Sequence, residues 1–415
     1  MKCAILIPGF LPVPAVDGGA VEVLIEEIIN GNEKFYRADI DLYTIYDERT
    51  SNYKYKNCNI ISVKPNVLIK MYSLIYKVIH KFLGNGEGNS VNTLAYALAA
   101  KKIIKNKKYD YIIIENNMRI YELFKKYRNL VFHLHNDILT PDKPQYLCKE
   151  IIQTSNNVIN VSKYLAKRME QIEKNDNINV LYNCVDFNIF NCDKYSKMDV
   201  LNIKKKYGIK ENDFTFVYTG RLNSQKGIME LIEAFKIINK KYKNTILFIV
   251  GASYFGKNIE KWHLKYKKDK FDIDIENALN GMEGKIVFSG FLKHNDVPSA
   301  LSIADCVVIP SKWEEPFGVV ALEAMAMKKP IIATKSGGLV EPLNEKCAIL
   351  IDKNTNFVEN LCTAMESMIN NNNAREKYAK NAFEHVHKHK EFDKNNYSNL
   401  FFDIILQNKK GRYDE

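Results

Sequence analysis

The sequence lacks the cysteine spacings that build zinc sites. It contains eight cysteines in 415 residues, and no two of them form a C-x-x-C pair. Paired spacings of that kind supply the thiolates of structural zinc sites, so we expect no zinc-finger or zinc-ribbon site. Free thiols persist in a reducing compartment, which predicts a cytoplasmic protein.

Long apolar runs and a leader sequence are also missing. No apolar stretch reaches the roughly 18 residues of a membrane-spanning helix. Met1 leads directly into KCAILIP, which has the pattern of a strand and not of a signal peptide. We therefore expect a soluble or peripheral protein, located in the cytoplasm or at the inner face of the membrane.

The chain is basic but carries no signature of nucleic-acid binding. Its net charge of +11 attracts phosphate-bearing partners. It has no zinc-knuckle spacing, no recognisable RNA-binding motif and no concentrated run of arginine, and we expect no nucleic-acid partner. An anionic lipid or a nucleotide donor accounts for the charge equally well. The length allows two domains with separate cores.

The most informative stretch spans residues 311–334, SKWEEPFGVVALEAMAMKKPIIAT. It predicts a loop and a helix between two buried strands. Glu315 and Glu323 have seven residues between them, and their backbones would lie about 12 Å apart along a helix. The carboxylates of a glycosidase lie roughly 5–10 Å apart, so this pair is better suited to the two ends of one long ligand.

The backbone between these glutamates can bind an anion. Phe317, Gly318 and Val319 stand at the predicted start of the helix, where free amides and the helix dipole favour negative charge. A diphosphate flanked by a sugar and a ribose fits this order of groups. The alternative is that the acidic residues are simply solvated at a helix start.

The string E-P-F-G-V-V-A-L-E resembles the E-x7-E motif of the retaining glycosyltransferases of family four. The resemblance implies an α/β fold of the GT-B type, in which two Rossmann-like doubly wound domains face each other across a cleft. It also implies that Glu315 contacts the hydroxyls of the donor sugar and that Glu323 binds the ribose. The donor would be a nucleotide-diphosphate sugar such as a UDP- or GDP-sugar, with no other cofactor.

Two cations in the segment GRLNSQKG belong to the same hypothesis. Arg221 and Lys226 flank a polar loop between a predicted strand and a predicted helix. A guanidinium and an ammonium group can stabilise a diphosphate leaving group without a metal, and the resemblance assigns them that role. Solvated surface cations are the alternative.

Two further loops match the family pattern. Gly18 and Gly19 follow the first strand, where a pair of glycines either lets the backbone approach a phosphate or forms a tight turn. With Glu22 they match the G-G-x-x-E start of the family. Phe291 and Leu292 end another predicted strand, at the place where the family holds the nucleobase through backbone groups.

His133 and His135 alternate on a predicted strand and therefore point the same way. Ligands bind at the carboxyl ends of the strands in open α/β sheets. The resemblance implies a histidine contact to the donor sugar near this point, and we assign it to His135. Two histidines and a following aspartate also look like metal ligands, but no further histidine or carboxylate cluster lies nearby in the sequence, so we expect no metal.

The resemblance predicts three parts, with the junction at NVLYNCVDFNIF. Residues 1–190 would form an N-terminal Rossmann-like domain that binds the acceptor. Residues 191–390 would form a C-terminal Rossmann-like domain that binds the nucleotide sugar, and residues 391–415 a helix that returns to the first domain. Cys184 stands where the family usually has a glycine.

Residues 67–83 have a basic amphipathic pattern. At helical spacing the polar residues form one narrow stripe beside a broad apolar face: Lys70, Ser73, Lys77 and Lys81. Such a helix can lie on an anionic membrane, or it can pack inside the first domain with its lysines reaching water. The sequence leaves both possibilities open.

Two other motifs compete with this interpretation. Gly256 and Lys257 complete a G-x-x-x-x-G-K spacing, but Asn258 stands where a phosphate-binding loop needs a hydroxyl for magnesium. D-x-D strings begin at Asp39 and Asp272 and would suggest metal-dependent transfer. Both look like surface charge.

We therefore interpret the chain as a retaining, metal-independent hexosyltransferase. It would pass a sugar to the hydroxyl of a glycan, a lipid-linked or a protein-linked acceptor, in the synthesis of cell-surface glycans or glycoconjugates. In the family a departing phosphate oxygen can take the acceptor proton, so no protein base is required. The rival hypotheses are a nucleotide-sugar-binding pseudoenzyme or partner subunit, and a phosphorylase or epimerase on the same fold.

Overall fold

The computed structural model describes residues 1–82, 91–137, 145–251, 270–282 and 284–407, and for residues 77–82 it describes the backbone alone. The chain divides into two compact units. The first unit contains Met1–Asn183 together with Lys394–Glu415, and the second contains Cys184–Asp393. The sequence placed these two boundaries after residues 190 and 390.

A parallel sheet forms the centre of the first unit. The strands are β1 (Lys2–Leu6), β2 (Asp39–Ile45), β3 (Cys58–Val63), β4 (Tyr111–Glu115), β5 (Leu130–Leu134), β6 (Asn157–Asn160) and β7 (Ile178–Val180). They are hydrogen-bonded in the order β3-β2-β1-β4-β5-β6-β7. The connecting helices are α1 (Ala20–Phe35), α2 (Val67–Phe82), α3 (Val91–Ile104), α4 (Met118–Phe124), α5 (Gln145–Thr154) and α6 (Lys163–Glu170).

The second unit repeats this plan. Its strands are β8 (Phe214–Thr219), β9 (Thr245–Val250), β10 (Ile286–Gly290), β11 (Cys306–Ile309), β12 (Ile331–Thr334) and β13 (Ala348–Ile351). They pair in parallel in the order β10-β9-β8-β11-β12-β13. The helices are α7 (Lys197–Lys206), α8 (Ile228–Lys241), α9 (Lys270–Leu279), α10 (Val297–Ser302), α11 (Val319–Ala326), α12 (Phe357–Asn370) and α13 (Asn372–Lys388).

The strands in the middle of both sheets are largely buried. In β4 and β5 every residue is buried, because the crossover helices of a parallel sheet cover both of its faces. In each unit the first strand lies between neighbours whose connections run in opposite directions, β2 and β4 beside β1, and β9 and β11 beside β8. Open sheets bind ligands at such points, at the carboxyl ends of the strands. The predicted α/β class with two Rossmann-like domains is confirmed.

The C-terminal helix α14 (Lys394–Gln407) belongs to the first unit, where it lies against α1. The two helices approach closely at Gly31, because a Cβ atom there would lie 2.3 Å from Cβ of Ser398. The Ser398 hydroxyl donates to the Ile28 carbonyl at 2.8 Å, and Arg37 pairs with Asp403 at 2.7 Å. The last helix therefore completes the core of the N-terminal unit.

A glycine fixes the turn that leads from β8 into α8. Gly227 has φ +69°, and a Cβ atom added to it would lie 1.8 Å from the carbonyl oxygen of Pro310. The loops after β8 and β11 therefore touch through their backbones at this position. Gly208 has nearly the same backbone conformation, φ +70°, with nothing within 4 Å of an added Cβ.

These two glycines give a matched test of that contact. Gly227→Ala and Gly208→Ala share the cost of a left-handed conformation, but only the former adds overpacking. We expect Gly227→Ala to lower the free energy of unfolding of the second unit by about 1–3 kcal/mol more than Gly208→Ala. Urea unfolding followed by tryptophan fluorescence and circular dichroism measures the difference. Equal midpoints would show that the two loops are not in contact.

Candidate active site

Glu315 lies at the centre of the predicted site in the second unit. It stands in the loop between β11 and α11 and is only 5% exposed. The Lys226 ammonium lies 2.6 Å from Oε1 of Glu315, and the Ser311 hydroxyl donates to the same oxygen. A buried carboxylate is costly unless it is paired and hydrogen-bonded, and these two donors meet that requirement. The sequence predicted both charged residues but not their contact.

The loop after β12 holds the backbone of Glu315. The amide of Gly338 donates to the Glu315 carbonyl at 2.7 Å, and the Glu315 amide donates to the Ser336 hydroxyl at 3.3 Å. A Cβ atom on Gly337 would lie 2.4 Å from the Glu315 carbonyl oxygen. The second G-G pair of the sequence therefore lets one loop approach another.

The helix that follows Glu315 begins without a side-chain cap. Gly318 precedes α11 with φ 93°. Because glycine has no side chain, the N-cap position supplies no side-chain hydrogen bond to the first amides of the helix. Phe317 is 1% exposed and anchors the loop. Val319 begins the helix, so the amides of the three predicted residues lie together at its start.

Glu323 is at the other end of this group, on α11, and it is 7% exposed. Its Oε1 atom lies 3.2 Å from Nε2 of His294, which follows β10 in a short 3-10 turn. The His294 ring packs 5.1 Å from the ring of Phe190. His294 was not predicted from the sequence, although it comes just after Phe291 and Leu292. Phe291 is exposed and Leu292 is half-buried.

Arg221 lies in the loop after β8 and is exposed. Its backbone carbonyl accepts a hydrogen bond from the Tyr218 hydroxyl at 2.8 Å. Burial raises the pKa of Tyr218, the negative charge of Glu315 raises it further, and the positive charge of Arg221 opposes both. The pKa of the Tyr218 hydroxyl is therefore affected by the charges of both Glu315 and Arg221. The Lys226 ammonium also lies 5.1 Å from the centre of the Trp313 ring.

The first unit contains a second polar group, formed by Glu115, His133 and His135. Nε2 of His135 and Nδ1 of His133 lie 2.8 and 3.0 Å from Oε2 of Glu115. Burial by itself raises the pKa of Glu115, but the two imidazoles outweigh it and lower that pKa to about 2. Burial lowers the pKa of His135 to about 4, with the His133 charge adding to the shift and Glu115 opposing it.

The prediction that His135 contacts the donor sugar did not include its carboxylate partner, Glu115. The histidine that we assigned to the donor sugar is 6% exposed and faces a carboxylate within its own unit. Glu115 comes from the neighbouring strand, since β4 and β5 pair with Glu115 opposite His133. That strand pairing supplies the carboxylate that was not evident from positions near His135 in the sequence.

The glycine pair after β1 has a local structural role. Gly18 and Gly19 have φ of 73° and 97°, and Gly19 precedes α1. A Cβ atom on Gly19 would lie 2.2 Å from Oε2 of Glu22, so the side chain of Glu22 folds back over this glycine. Burial raises the pKa of Glu22 to about 7, a backbone hydrogen bond opposes that shift, and the charge of Glu115 adds to it.

The competing motifs do not gain support. Gly256, Lys257 and Asn258 lie outside the described residues. The first D-x-D string is part of β2, and there Asp41 is 6% exposed and lies 2.9 Å from the Lys107 ammonium. The prediction of surface charge was wrong for Asp41, because Lys107 comes from a distant turn and covers it.

The chain matches a known protein family over part of its length and is similar in sequence to proteins of other organisms. Residues 199–385 match the family of glycosyl transferases group 1. YtcC of Bacillus subtilis, whose name assigns it provisionally to the glycosyltransferases, is 24% identical over 394 residues, 93% of this chain and 88% of that protein. The lipopolysaccharide 1,2-N-acetylglucosaminetransferase of Salmonella typhimurium is 29% identical over 234 residues, 55% of this chain and 56% of that protein.

Solved structures share the fold over nearly the whole chain. The sucrose-phosphate synthase of Thermosynechococcus elongatus superposes with a TM-score of 0.76 at 17% identity, covering 99% of this chain and 100% of that one. Anabaena HepE, in complex with UDP and glucose, superposes with a TM-score of 0.69 at 21% identity, covering 97% and 98% of the two chains. The predicted GT-B fold class is confirmed.

The contact between Lys226 and Glu315 can be tested without any ligand. A double-mutant cycle with Lys226→Met and Glu315→Gln should give a coupling energy of roughly 1–3 kcal/mol in the unfolding of the second unit, because removal of one partner leaves the other charge buried. Lys241 and Glu366 form a matched control at 3.0 Å, with side chains 61% and 36% exposed. That exposed pair should couple far less. Equal coupling in the two cycles would contradict the burial of the Glu315 pair.

Proposed function

We propose, on the premise that this chain carries a glycosyl transferases group 1 domain at residues 199–385, that it moves a sugar from a nucleotide-diphosphate sugar to an acceptor hydroxyl with retention of configuration. The observation that carries the proposal is the pairing of Lys226 with Glu315 at 2.6 Å. It holds an ammonium group beside a buried carboxylate at the carboxyl ends of adjacent strands, which supports a single site for phosphate and sugar.

The diphosphate would bind to Lys226, to Arg221 and to the backbone amides at the start of α11. Negative charge grows on the leaving diphosphate as the glycosidic bond breaks. Fixed cations and backbone amides stabilise that charge without reorganisation. Lys226 is 21% exposed at its side chain, so its ammonium is held by Glu315 and still reachable by a ligand. This scheme requires no metal at the diphosphate.

The nucleoside would extend toward Glu323. A carboxylate accepts hydrogen bonds from both hydroxyls of a ribose, and the 3.2 Å contact with His294 holds the Glu323 side chain in position. Phe291 and Leu292 come three and two residues before His294, and their backbone groups would hold the base. The HepE structure contains UDP, and we propose a UDP-sugar as the first donor to examine.

The acceptor would bind to the first unit. The relative from Salmonella is named as a lipopolysaccharide N-acetylglucosaminetransferase, so we propose a cell-surface glycan, or its lipid-linked or protein-linked precursor, as the acceptor. A departing phosphate oxygen would take the acceptor proton. The rival pseudoenzyme is disfavoured because Arg221, Lys226, Glu315 and Glu323 are all present. Turnover with inorganic phosphate, or without an acceptor, would instead indicate a phosphorylase or an epimerase.

The cation hypothesis predicts the effect of two substitutions. Arg221→Ala and Lys226→Ala should each lower kcat by roughly 10²-fold, because each removes a contact that strengthens in the transition state. Lys241→Ala, an exposed control in the same unit, should retain full activity. Addition of Mg²⁺ or Mn²⁺ should leave the wild-type rate unchanged. Near-normal rates for both variants, or a rate that depends on Mg²⁺, would overturn this part of the proposal.

The two glutamates should differ in their kinetic effects. Glu323→Gln should mainly raise KM for the donor, since ribose is held alike in the ground and transition states. Glu315→Gln should mainly lower kcat, since this side chain orients the sugar as its anomeric carbon gains positive charge. Steady-state kinetics and NMR of the product measure both effects. An inverted anomeric configuration, or the same split for both variants, would refute the assignment.

Helix α2 suggests where the protein works. Its outward side bears large apolar side chains that are each more than half exposed: Val67, Leu68, Met71, Tyr72, Leu74 and Ile75. Ser73 is fully buried and donates to the Ile69 carbonyl at 2.8 Å. Ser73 therefore does not belong to a solvent-facing stripe, and the apolar side of this segment is not packed inside the unit.

An anionic membrane surface fits this helix. Exposed apolar patches mark interaction sites, Lys70 is exposed on the flank of the apolar side, and Lys77 and Lys81 follow it at helical spacing. A basic amphipathic helix lies in the headgroup region of such a membrane. Across the described part of the chain, no helix combines the length and hydropathy needed to cross a bilayer. We propose peripheral attachment through α2.

Vesicle binding tests that attachment. Leu68→Gln combined with Met71→Gln should weaken binding to phosphatidylglycerol vesicles by roughly tenfold or more, since each substitution removes an apolar side chain worth about 1.5–3 kcal/mol when buried. The matched control is Met198→Gln combined with Ile237→Gln, which removes two exposed apolar side chains of the second unit, 64% and 49% exposed. Cosedimentation measures the bound fraction. Equal binding by both double variants would exclude α2 as the anchor.

A further inference from the structure

The group formed by Glu115, His133 and His135 is not used by the proposed transfer chemistry. Glu115 ends β4, His133 lies in β5 opposite Glu115, and His135 follows β5. Their exposed fractions are 0%, 0% and 6%. Three buried ionisable side chains thus meet at the carboxyl ends of two neighbouring strands, at the edge where open sheets bind ligands.

Hydrogen bonds within the group do not satisfy its polar atoms. Oε2 of Glu115 is hydrogen-bonded to Nε2 of His135 at 2.8 Å. Nδ1 of His133 lies 3.0 Å from the same oxygen but is buried without a hydrogen-bond partner, as are Nε2 of His133, Nδ1 of His135 and Oε1 of Glu115. A buried polar atom that lacks a partner costs about 1–3 kcal/mol. An occupant that bound Nδ1 of His133 together with a carboxylate oxygen of Glu115 would offset part of that cost.

We propose that Glu115, His133 and His135 bind a divalent transition metal, with Zn²⁺ as the best fit. One ligand atom from each residue can be chosen so that all three lie within 4.8 Å of one another. Two imidazoles and a carboxylate form a ligand set used by zinc, with one position left open. Mg²⁺ and Ca²⁺ bind through more oxygens than this group offers.

Two of the three distances between ligand atoms are close to those of a zinc site. Zinc binds histidine nitrogen and carboxylate oxygen at about 2.0–2.2 Å, so ligand atoms of a tetrahedral site lie roughly 3.3 Å apart. The present N–O distances are 2.8 Å for His135 and 3.0 Å for His133. A separation of a few tenths of an ångström would bring both pairs to the spacing of metal ligands. A neutral imidazole would coordinate through one ring nitrogen and carry its proton on the other, so each histidine would bind as a neutral ligand.

The metal would join β4 to the end of β5 within the first unit, and it would have no part in holding the diphosphate. It would give His135 the role of a ligand in place of the sugar contact that the family resemblance implied. The inference does not depend on the proposed transferase activity. Its test therefore uses binding and spectroscopy instead of turnover.

The experiment is a titration of the full-length, chelator-treated protein with Co²⁺. We expect one Co²⁺ per chain, with visible d–d bands of a nitrogen and oxygen site and without the near-ultraviolet charge-transfer band of a thiolate. Zn²⁺ should displace the Co²⁺, with loss of the visible bands. Failure to bind one equivalent, or a thiolate band from the cysteines, would overturn the proposal.

Substitutions locate the metal. Glu115→Gln keeps the shape of the side chain but removes its charge. The double variant Glu115→Gln with His135→Gln should weaken Co²⁺ binding at least tenfold. His387→Gln, at an exposed histidine of the second unit, is the control and should bind as wild type. Zn²⁺ should raise the Tm of wild type and of the control but not of Glu115→Gln. Unchanged metal binding by Glu115→Gln would refute the assignment even if that variant were less stable.

Discussion

The buried carboxylate of Glu315 is the constraint on which the proposed donor site depends. Its charge is tolerated because Lys226 and Ser311 both donate to one of its oxygens. Gly338 donates to its backbone carbonyl, and Gly227 allows the loop that bears Lys226 to touch the loop of Pro310. Three loops converge there because the parallel strands β8, β11 and β12 are neighbours in the sheet. The site is thus a consequence of strand order and of the absence of Cβ atoms at two points.

Helix α11 gives this arrangement its length. It separates Glu315, held by a lysine and a hydroxyl, from Glu323, which contacts a histidine. The two carboxylates therefore differ in chemical environment, and the start of the helix lies between them. A ligand with a sugar at one end, a diphosphate in the middle and a nucleoside at the other end would match all three parts. Similarity of fold would not support this by itself, whereas the order of side chains does.

The first unit has polar and apolar features that its fold does not require. At the carboxyl ends of two of its strands, Glu115 meets two histidines in the interior. Helix α2 has the reverse of the usual burial over residues 67–75, because Ser73 faces inward and the large apolar side chains face outward. Departures of this kind cost stability, which is why each of them supports a proposal about binding.

The apolar runs and the glycines that follow them were sufficient to predict the α/β fold, a strand at His133 and the start of α11. Local periodicity carries that information because each strand and helix must bury one or two faces. The tertiary structure alone decided which side chains meet. Lys226 pairs with Glu315, His294 with Glu323 and Glu115 with two histidines only because the crossovers make their strands or loops neighbours, and sequence distance does not encode that order. The side of α2 that faces water was likewise decided by the packing of α3, since an amphipathic pattern gives the two faces of a helix but not which one the unit covers.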